Sequence, residues 1–284
     1  MKNLIEEIKK YKTWMPPGHF YSPIPNVNEI KERKESIFNR KKEPGNINTR
    51  IEEQIQFLES CQHYYNQIPF PEEQSSEFRY YFNNTMFTYA DAISLYLIIN
   101  HFQPKKIIEV GSGFSSAVML DTCDFHNHIN AELTFIEPFP DRLNSLLNEN
   151  ESINLHETIV QNTNLEIYKK LEAGDILFID SSHVSKAGSD VNYIFFEIFP
   201  ILKPGVVIHV HDIGINFQYP YKWIEQGRSW NESYLLRAFL MNNIDYEILL
   251  FNAQVYNRKR KFFEDKMPLY TKGPGGSFWM RKVA

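Results

Sequence analysis

The sequence predicts a doubly wound α/β protein, and three observations carry that prediction. From residue 86 onward, short apolar runs alternate with helical patterns. The first run ends in a glycine turn that opens a helix. Several runs also end in a carboxylate or a histidine, as Ile179-Asp180 and Val210-His211-Asp212 do. Strands alternating with helices build a mostly parallel sheet covered on both faces. Such a sheet takes its ligand at the carboxyl ends of the strands, near the switch point.

The elements follow in order. Residues 1–85 are polar, helical in pattern and read as an extension that covers the site. Met1–Lys12 has the look of an amphipathic helix without the apolar core of a signal peptide. Met15–Pro25 holds four prolines and must be an extended loop. It is either a cover for a ligand or a surface arm tied down by Phe20 and Tyr21. Residues 86–284 form the ligand-binding domain. Tyr89–His101 reads as a buried helix closed by Gln103-Pro104. The seven expected strands are Lys106–Val110, Glu132–Glu137, Ile153–Val160, Asp175–Asp180, Val206–Val210, Tyr246–Phe251 and Ser277–Lys282. The helices between them are Phe114–Phe125, Asp141–Asn150, Asn164–Leu171, Asp190–Leu202 and Trp230–Met241, with Asn231 as an N-cap.

Composition excludes several classes. With 284 residues and 43% hydrophobic residues the chain can bury a sizeable core. A formal net charge of −5 gives no general attraction to nucleic acid or anionic membrane. The run Arg258-Lys259-Arg260-Lys261 reads as a solvated loop before the last strand. Two cysteines, Cys61 and Cys123, cannot make a disulfide framework and fit a reducing, cytoplasmic setting. The longest apolar run, around Ala92–Asn100, is too short to span a membrane. Oligomeric state cannot be read from the chain.

Three motifs carry chemistry. The first is Ile107-Ile108-Glu109-Val110-Gly111-Ser112-Gly113-Phe114-Ser115-Ser116. An apolar strand runs into a Gly-x-Gly turn, where Gly111 is free to take angles closed to other residues. Gly113 lets a bulky ligand approach the backbone, beside the free N–H groups of a helix start. The third glycine of the dinucleotide fingerprint is missing, and the acid Glu109 is unsuited to a pyrophosphate. Both observations argue against a nicotinamide-dependent oxidoreductase. The second motif is Phe135-Ile136-Glu137-Pro138, in which Glu137 lies 24 residues after Gly113. A carboxylate at that strand tip can accept both hydroxyls of a ribose.

With these residues the chain resembles the class I S-adenosylmethionine-dependent methyltransferases, over roughly residues 86–284. Within that class it looks like a bacterial subgroup active on small molecules and in glycan pathways. The resemblance implies a Rossmann-like fold of seven strands whose last pair forms an antiparallel hairpin. It implies that Glu109, Gly111, Ser112, Gly113 and Ser115 hold the amino-acid end of S-adenosylmethionine. Glu137 would hold the ribose, Gln161 and Asn162 would lie by the adenine, and Asp180 would border the cofactor.

The third motif joins Asp180 and His183, at the end of the fourth strand, with His211 and Asp212, at the end of the fifth. Three roles remain open. His183 or His211 is a general base toward an acceptor hydroxyl, with Asp180 in support. Alternatively, Asp180, His211 and Asp212 bind a divalent cation, although catechol-type relatives have Asp and Asn where His211 and Asp212 stand. In the third, the histidines only hydrogen-bond the acids. His209 reads as structural. The aromatic segment from Tyr219 to Tyr234 is placed to meet the acceptor, a small-molecule or glycan hydroxyl. O-methylation is the leading expectation; N-methylation and a catalytically weak cofactor-binding partner are the alternatives.

Overall fold

The computed structural model describes residues 13–41, 43–126, 128–149 and 151–284. The expected helix at Met1–Lys12 lies outside the described residues.

Seven strands form one sheet in the order β3-β2-β1-β4-β5-β7-β6. They are β1 Lys106–Val110, β2 Glu132–Ile136, β3 Asn154–His156, β4 Ile176–Ile179, β5 Val207–Val210, β6 Tyr246–Phe251 and β7 Phe278–Lys282. Strands β1 to β5 pair in parallel, and β7 runs antiparallel to both β5 and β6. The chain winds outward through β2 and β3 and then returns to place β4 beside β1. That reversal between β1 and β4 is the switch point, where the connections diverge and leave a crevice.

The central strands are apolar on both faces because both are covered. On one face the helix Tyr89–Phe102 is buried along nearly its whole length, together with Tyr80, Phe82 and Trp279. On the other, Ile179, Ile194, Phe199 and Ile208 form a second cluster. The N-terminal extension shares the first core through Leu58, Tyr65 and Phe70. Its Pro-rich stretch is a loop, as expected, but Phe20 and Tyr21 do not tie it down. They are 80% and 59% exposed; the two rings meet at 4.1 Å between centroids, and Tyr21 meets Trp14 at 5.2 Å.

Several elements differ from the expectation. The strand expected over Ile153–Val160 is only Asn154–His156, an edge strand paired on one side. A 3-10 turn at Val160–Asn162 follows it, and the helix expected over Asn164–Leu171 is one turn at Glu166–Lys169. The helix from Asp141 ends at Leu146. Between Asp190 and Ile201 the helix widens to a π-turn at Ile194–Ile198 and tightens to 3-10 at Phe199–Ile201. Pro200 lacks an N–H and clashes with a regular preceding turn, which forces that change of pitch. The basic run is not a loop. It spans two helices, Asn252–Arg258 and Arg260–Lys266, that break at Lys259.

Candidate functional site

The tips of β1, β4 and β5 are sewn together one residue beyond their strands. Asp180 N–H donates to Val110 O at 2.9 Å, and His211 N–H to Ile179 O at 3.0 Å. Gly111 stands at the centre with φ +85°, and a Cβ built on it would lie 1.8 Å from Asp180 O. Only glycine permits that approach of two strand tips. Above them opens a cavity of about 500 Å³, a size suited to a small organic ligand.

The cavity gathers most of the residues that the sequence singles out. Gly111, Ser112, Gly113 and Ser115 line one end with Glu137. Asp180, His183, His211 and Asp212 line the other. Glu137 is fixed at both oxygens: Ser112 N–H donates to one at 3.0 Å, and Phe139 N–H to the other at 2.8 Å. Its carboxylate stays half-buried at the cavity edge.

Glu109 differs from the expectation of direct ligand contact. It is fully buried beneath the turn and does not line the cavity. Ser115 Oγ–H donates to it at 2.6 Å, Ser116 Oγ–H donates to its other oxygen, and Ser116 Oγ accepts from Gly113 N–H at 2.9 Å. The acid therefore shapes the turn from below. Burial pushes its carboxyl up to about 8, against the pull of the two hydroxyls. A raised acid holds its proton in the folded state while the unfolded state has lost it. Stability should then fall as pH rises from 4.5 to about 8, with a slope of at most about 1.4 kcal/mol per pH unit. Glu109→Gln is expected to flatten that fall and leave ligand affinity unchanged. Urea titrations across this window read the first, and calorimetry the second.

Gln161 also departs from its expected place. The 3-10 turn aims its side chain at the loop after β4, where Nε2 donates to Gly188 O at 2.8 Å, and it does not line the cavity. Asn231 sits at the N-cap of the helix Glu232–Leu240, but its side chain accepts from Ser185 N–H at 2.6 Å instead of capping. His209 is a core residue, stacked on Phe178 at 3.8 Å between centroids. Burial, with the neighbouring His211, holds it well below the usual imidazole range.

The two site histidines lie in a lattice of acids. His183 Nδ1 is 2.9 Å from Glu232 Oε2, and its Nε2 is 3.4 Å from Asp180 and 3.5 Å from Asp212. His211 Nδ1 is 3.3 Å from Asp180, and its Nε2 is 3.5 Å from Asp91. Burial alone would lower both imidazoles. For His183 the hydrogen bonds to Asp180 and Glu232 outweigh burial and push it up to about 10. The Asp180 and Asp212 carboxylates likewise hold His211 well above its usual value. Burial disfavours the Asp180 charge, but the two imidazoles overcome it and keep the carboxyl far below the usual range. In Asp212 burial wins, and its value rises. His183 and Asp212 both sit in left-handed backbone, at φ 60° and 58°, a cost that functional positions often bear. The Asp212 turn packs on Gly276, where a Cβ would meet Asp212 Cα at 2.9 Å.

Asp91 and Glu232 are site residues that sequence reading missed. Both are fully buried acids. Asp91 also accepts from Gly276 N–H at 2.9 Å and Ser277 N–H at 2.8 Å, tying the buried helix to the turn before β7. An acid inside the otherwise apolar stretch Tyr89–His101 was the available signal. Glu232 had none, since a first-turn glutamate is ordinary helix chemistry.

Asp180, His211 and Asp212 do not fit a divalent cation. Among the described residues no group of three or more His, Cys, Asp or Glu is arranged to hold a metal ion. Both nitrogens of His211 face carboxylates of this chain.

A crevice at the switch point, a glycine-rich turn and an acid at the tip of β2 define an α/β protein with a ligand-sized cavity at the carboxyl edge of its sheet. The family model of a methyltransferase domain matches residues 108–213. An uncharacterized protein of Archaeoglobus fulgidus is 36% identical over 162 residues, which are 55% of this chain and 73% of that protein. Residues 108–213 thus carry a methyltransferase domain, as the sequence led us to expect. Among solved structures it is similar to the Podospora anserina methyltransferase PaMTH1 bound to SAH, at 15% identity over 96% of this chain and all of that one, with TM-score 0.45. It is also similar to the O-methyltransferase TomG of Streptomyces achromogenes in complex with SAM, at 13% identity over 90% and 96% of the two chains, with TM-score 0.42. Among the described residues no helix is long and apolar enough to cross a membrane.

Proposed function

We propose that this methyltransferase acts on a hydroxyl oxygen of a small molecule or sugar unit, as a cytoplasmic enzyme. The observation that carries the reading is one cavity lined at one end by the Gly111–Gly113 turn and Glu137, and at the other by the histidine–carboxylate lattice. S-adenosylmethionine fits the first end: Gly111 and Gly113 present bare backbone, and Glu137 presents a fixed carboxylate. Ser112 and Ser115 would lie at its amino-acid end and Glu137 at its ribose. When bound, it supplies an electrophilic methyl on a sulfonium.

The chain's own residues prepare the acceptor. A hydroxyl is protonated at neutral pH and attacks poorly until its proton is drawn away. His183 holds a proton to about 10, so it is not the base that the sequence suggested. The proton passes instead to a carboxylate, and Asp212 suits this task because burial makes it more basic than an ordinary acid. The positive charge of the His183 and His211 imidazoliums, whose N–H groups are held by carboxylates, then offsets through space the negative charge that grows on the acceptor oxygen. Asp180 holds both imidazoles, while Glu232 fixes the far nitrogen of His183 and Asp91 that of His211. An amine acceptor needs no such stabilisation of an oxyanion, which favours oxygen over nitrogen.

The test is a mass-spectrometric screen of hydroxylated small molecules and sugars for the gain of one methyl. Gain on amines alone would overturn the reading. Glu137→Ala is expected to weaken S-adenosylhomocysteine binding about ten- to a hundred-fold with the fold intact. Unchanged affinity by calorimetry would refute the ribose role.

A further inference from the structure

We infer that the acceptor carries an anionic group, a carboxylate or phosphate, and that Arg228 at the cavity mouth receives it. The proposal rests on the methyltransferase reading for the word acceptor, but the anion site itself does not. Trp223 and Trp230 line the cavity beside His183, with Trp230 4.4 Å from the imidazole between centroids. Bare indole faces there would form a platform for a sugar or a flat ring. They are not bare. The Arg228 guanidinium lies 4.7 Å from the Trp223 ring centre and 4.9 Å from that of Trp230.

The chain is built to put it there. The helix Tyr221–Glu225 ends in a turn at Gly227, φ +84°, and Arg228 N–H donates back to Trp223 O at 3.0 Å. The reversal folds the arginine over its own helix's tryptophan. The two indoles meet edge to face at 5.3 Å, so one guanidinium reaches both. Stacking holds a guanidinium by its faces and leaves the in-plane N–H groups available. No carboxylate of the described residues pairs with Arg228, although the protein carries more acids than bases. Arg79 and Arg281, by contrast, are each engaged by carboxylates.

The cavity is therefore polarised. Asp180 and Asp212 line it with His183 and His211, and the buried Asp91 and Glu232 back those two imidazoles. Its mouth holds a stacked cation with open donors. A molecule with a hydroxyl at one end and an anion at the other matches both. Arg142 also lines the cavity, beside Gly113, but only Arg228 is stacked on the two indoles next to His183. A guanidinium with fixed planar donors suits carboxylate and phosphate oxygens two at a time.

The test titrates the full-length protein with benzoate, benzamide and inorganic phosphate by calorimetry, at fixed ionic strength, with and without S-adenosylhomocysteine. Benzoate or phosphate is expected to bind, with benzoate tighter than neutral benzamide. Arg228→Gln should weaken anion binding about ten-fold and leave S-adenosylhomocysteine affinity unchanged. Arg228→Lys should recover part of it. Tighter benzoate assigns a carboxylate acceptor, and tighter phosphate a phosphorylated one. No anion binding by the wild type, equal binding of benzoate and benzamide, or equal anion affinity in Arg228→Gln would overturn the proposal. Failure of S-adenosylhomocysteine to bind would instead strike the methyltransferase reading, and the titration without it still decides the anion site.

Discussion

Gly111→Ala is expected to destabilise the fold by about 3–5 kcal/mol, the sum of a left-handed non-glycine residue and an overpacked core contact, and to abolish S-adenosylhomocysteine binding. Two effects meet at this position. The backbone stands at φ +85°, and the added Cβ would lie 1.8 Å from Asp180 O and 2.8 Å from Asp180 C. Those atoms are backbone at the tip of β4, held by the Asp180 N–H bond to Val110 O, so neither can step aside alone. The turn would have to part from β4, and the crevice would lose its floor. Gly188→Ala is the control: it has φ +72° but nothing within 4 Å of the added Cβ, and should cost only the strain, about 1 kcal/mol. Denaturant unfolding of the two variants separates the effects. An equal loss in both would mean that the close approach of β1 and β4 contributes nothing.

His183→Ala is expected to lower turnover about ten- to a hundred-fold, the scale of losing one nearby positive charge of a few kcal/mol, with cofactor affinity unchanged. The pH profile gives a sharper reading. A cationic His183 is present below about 10 and lost above it, so the rate should be level through neutrality and fall as pH climbs toward that value. Loss of the imidazole should remove that alkaline limb. A rate that instead rises through pH 6 to 8 as an ordinary imidazole deprotonates would restore the general-base role and sink the imidazolium one. The same ion pairs stabilise the fold. Their contribution is complete below the ordinary imidazole value of 6.5 and is lost as pH rises toward about 10.

Much of this protein was legible in its order of residues. The central strands β1, β4 and β5 lay where apolar, β-branched runs stood, because a doubly covered sheet demands such runs there. The weakest forecasts fell on short edges. The strand at Asn154–His156 pairs on one side only, and its flanks match no strand period strongly enough to set bounds. The run Arg258–Lys261 reads as a loop from its charge, yet it joins the helices Asn252–Arg258 and Arg260–Lys266, whose buried residues include Ala253, Val255 and Phe263.

The candidate site divides along the same line. Glycines at strand ends, an acid at the tip of β2 and histidines after β4 and β5 are local patterns, each fixed by what a parallel sheet does at its carboxyl edge. The sequence alone determined the fold class, the family resemblance and which residues would gather at that edge. Direction of the side chains was another matter. Glu109 turned down into the first helical turn because Ser115 and Ser116 offered it hydroxyls in the core, while Glu137 stayed at the surface of the cavity. Asp91 and Glu232 reached the histidines from elements remote along the chain, 120 and 49 residues away from His211 and His183. Only tertiary structure could decide whether those imidazoles carry a charge. The charge of a buried group depends on the net field of every neighbour that packing brings within a few ångströms, and no local spacing records that sum.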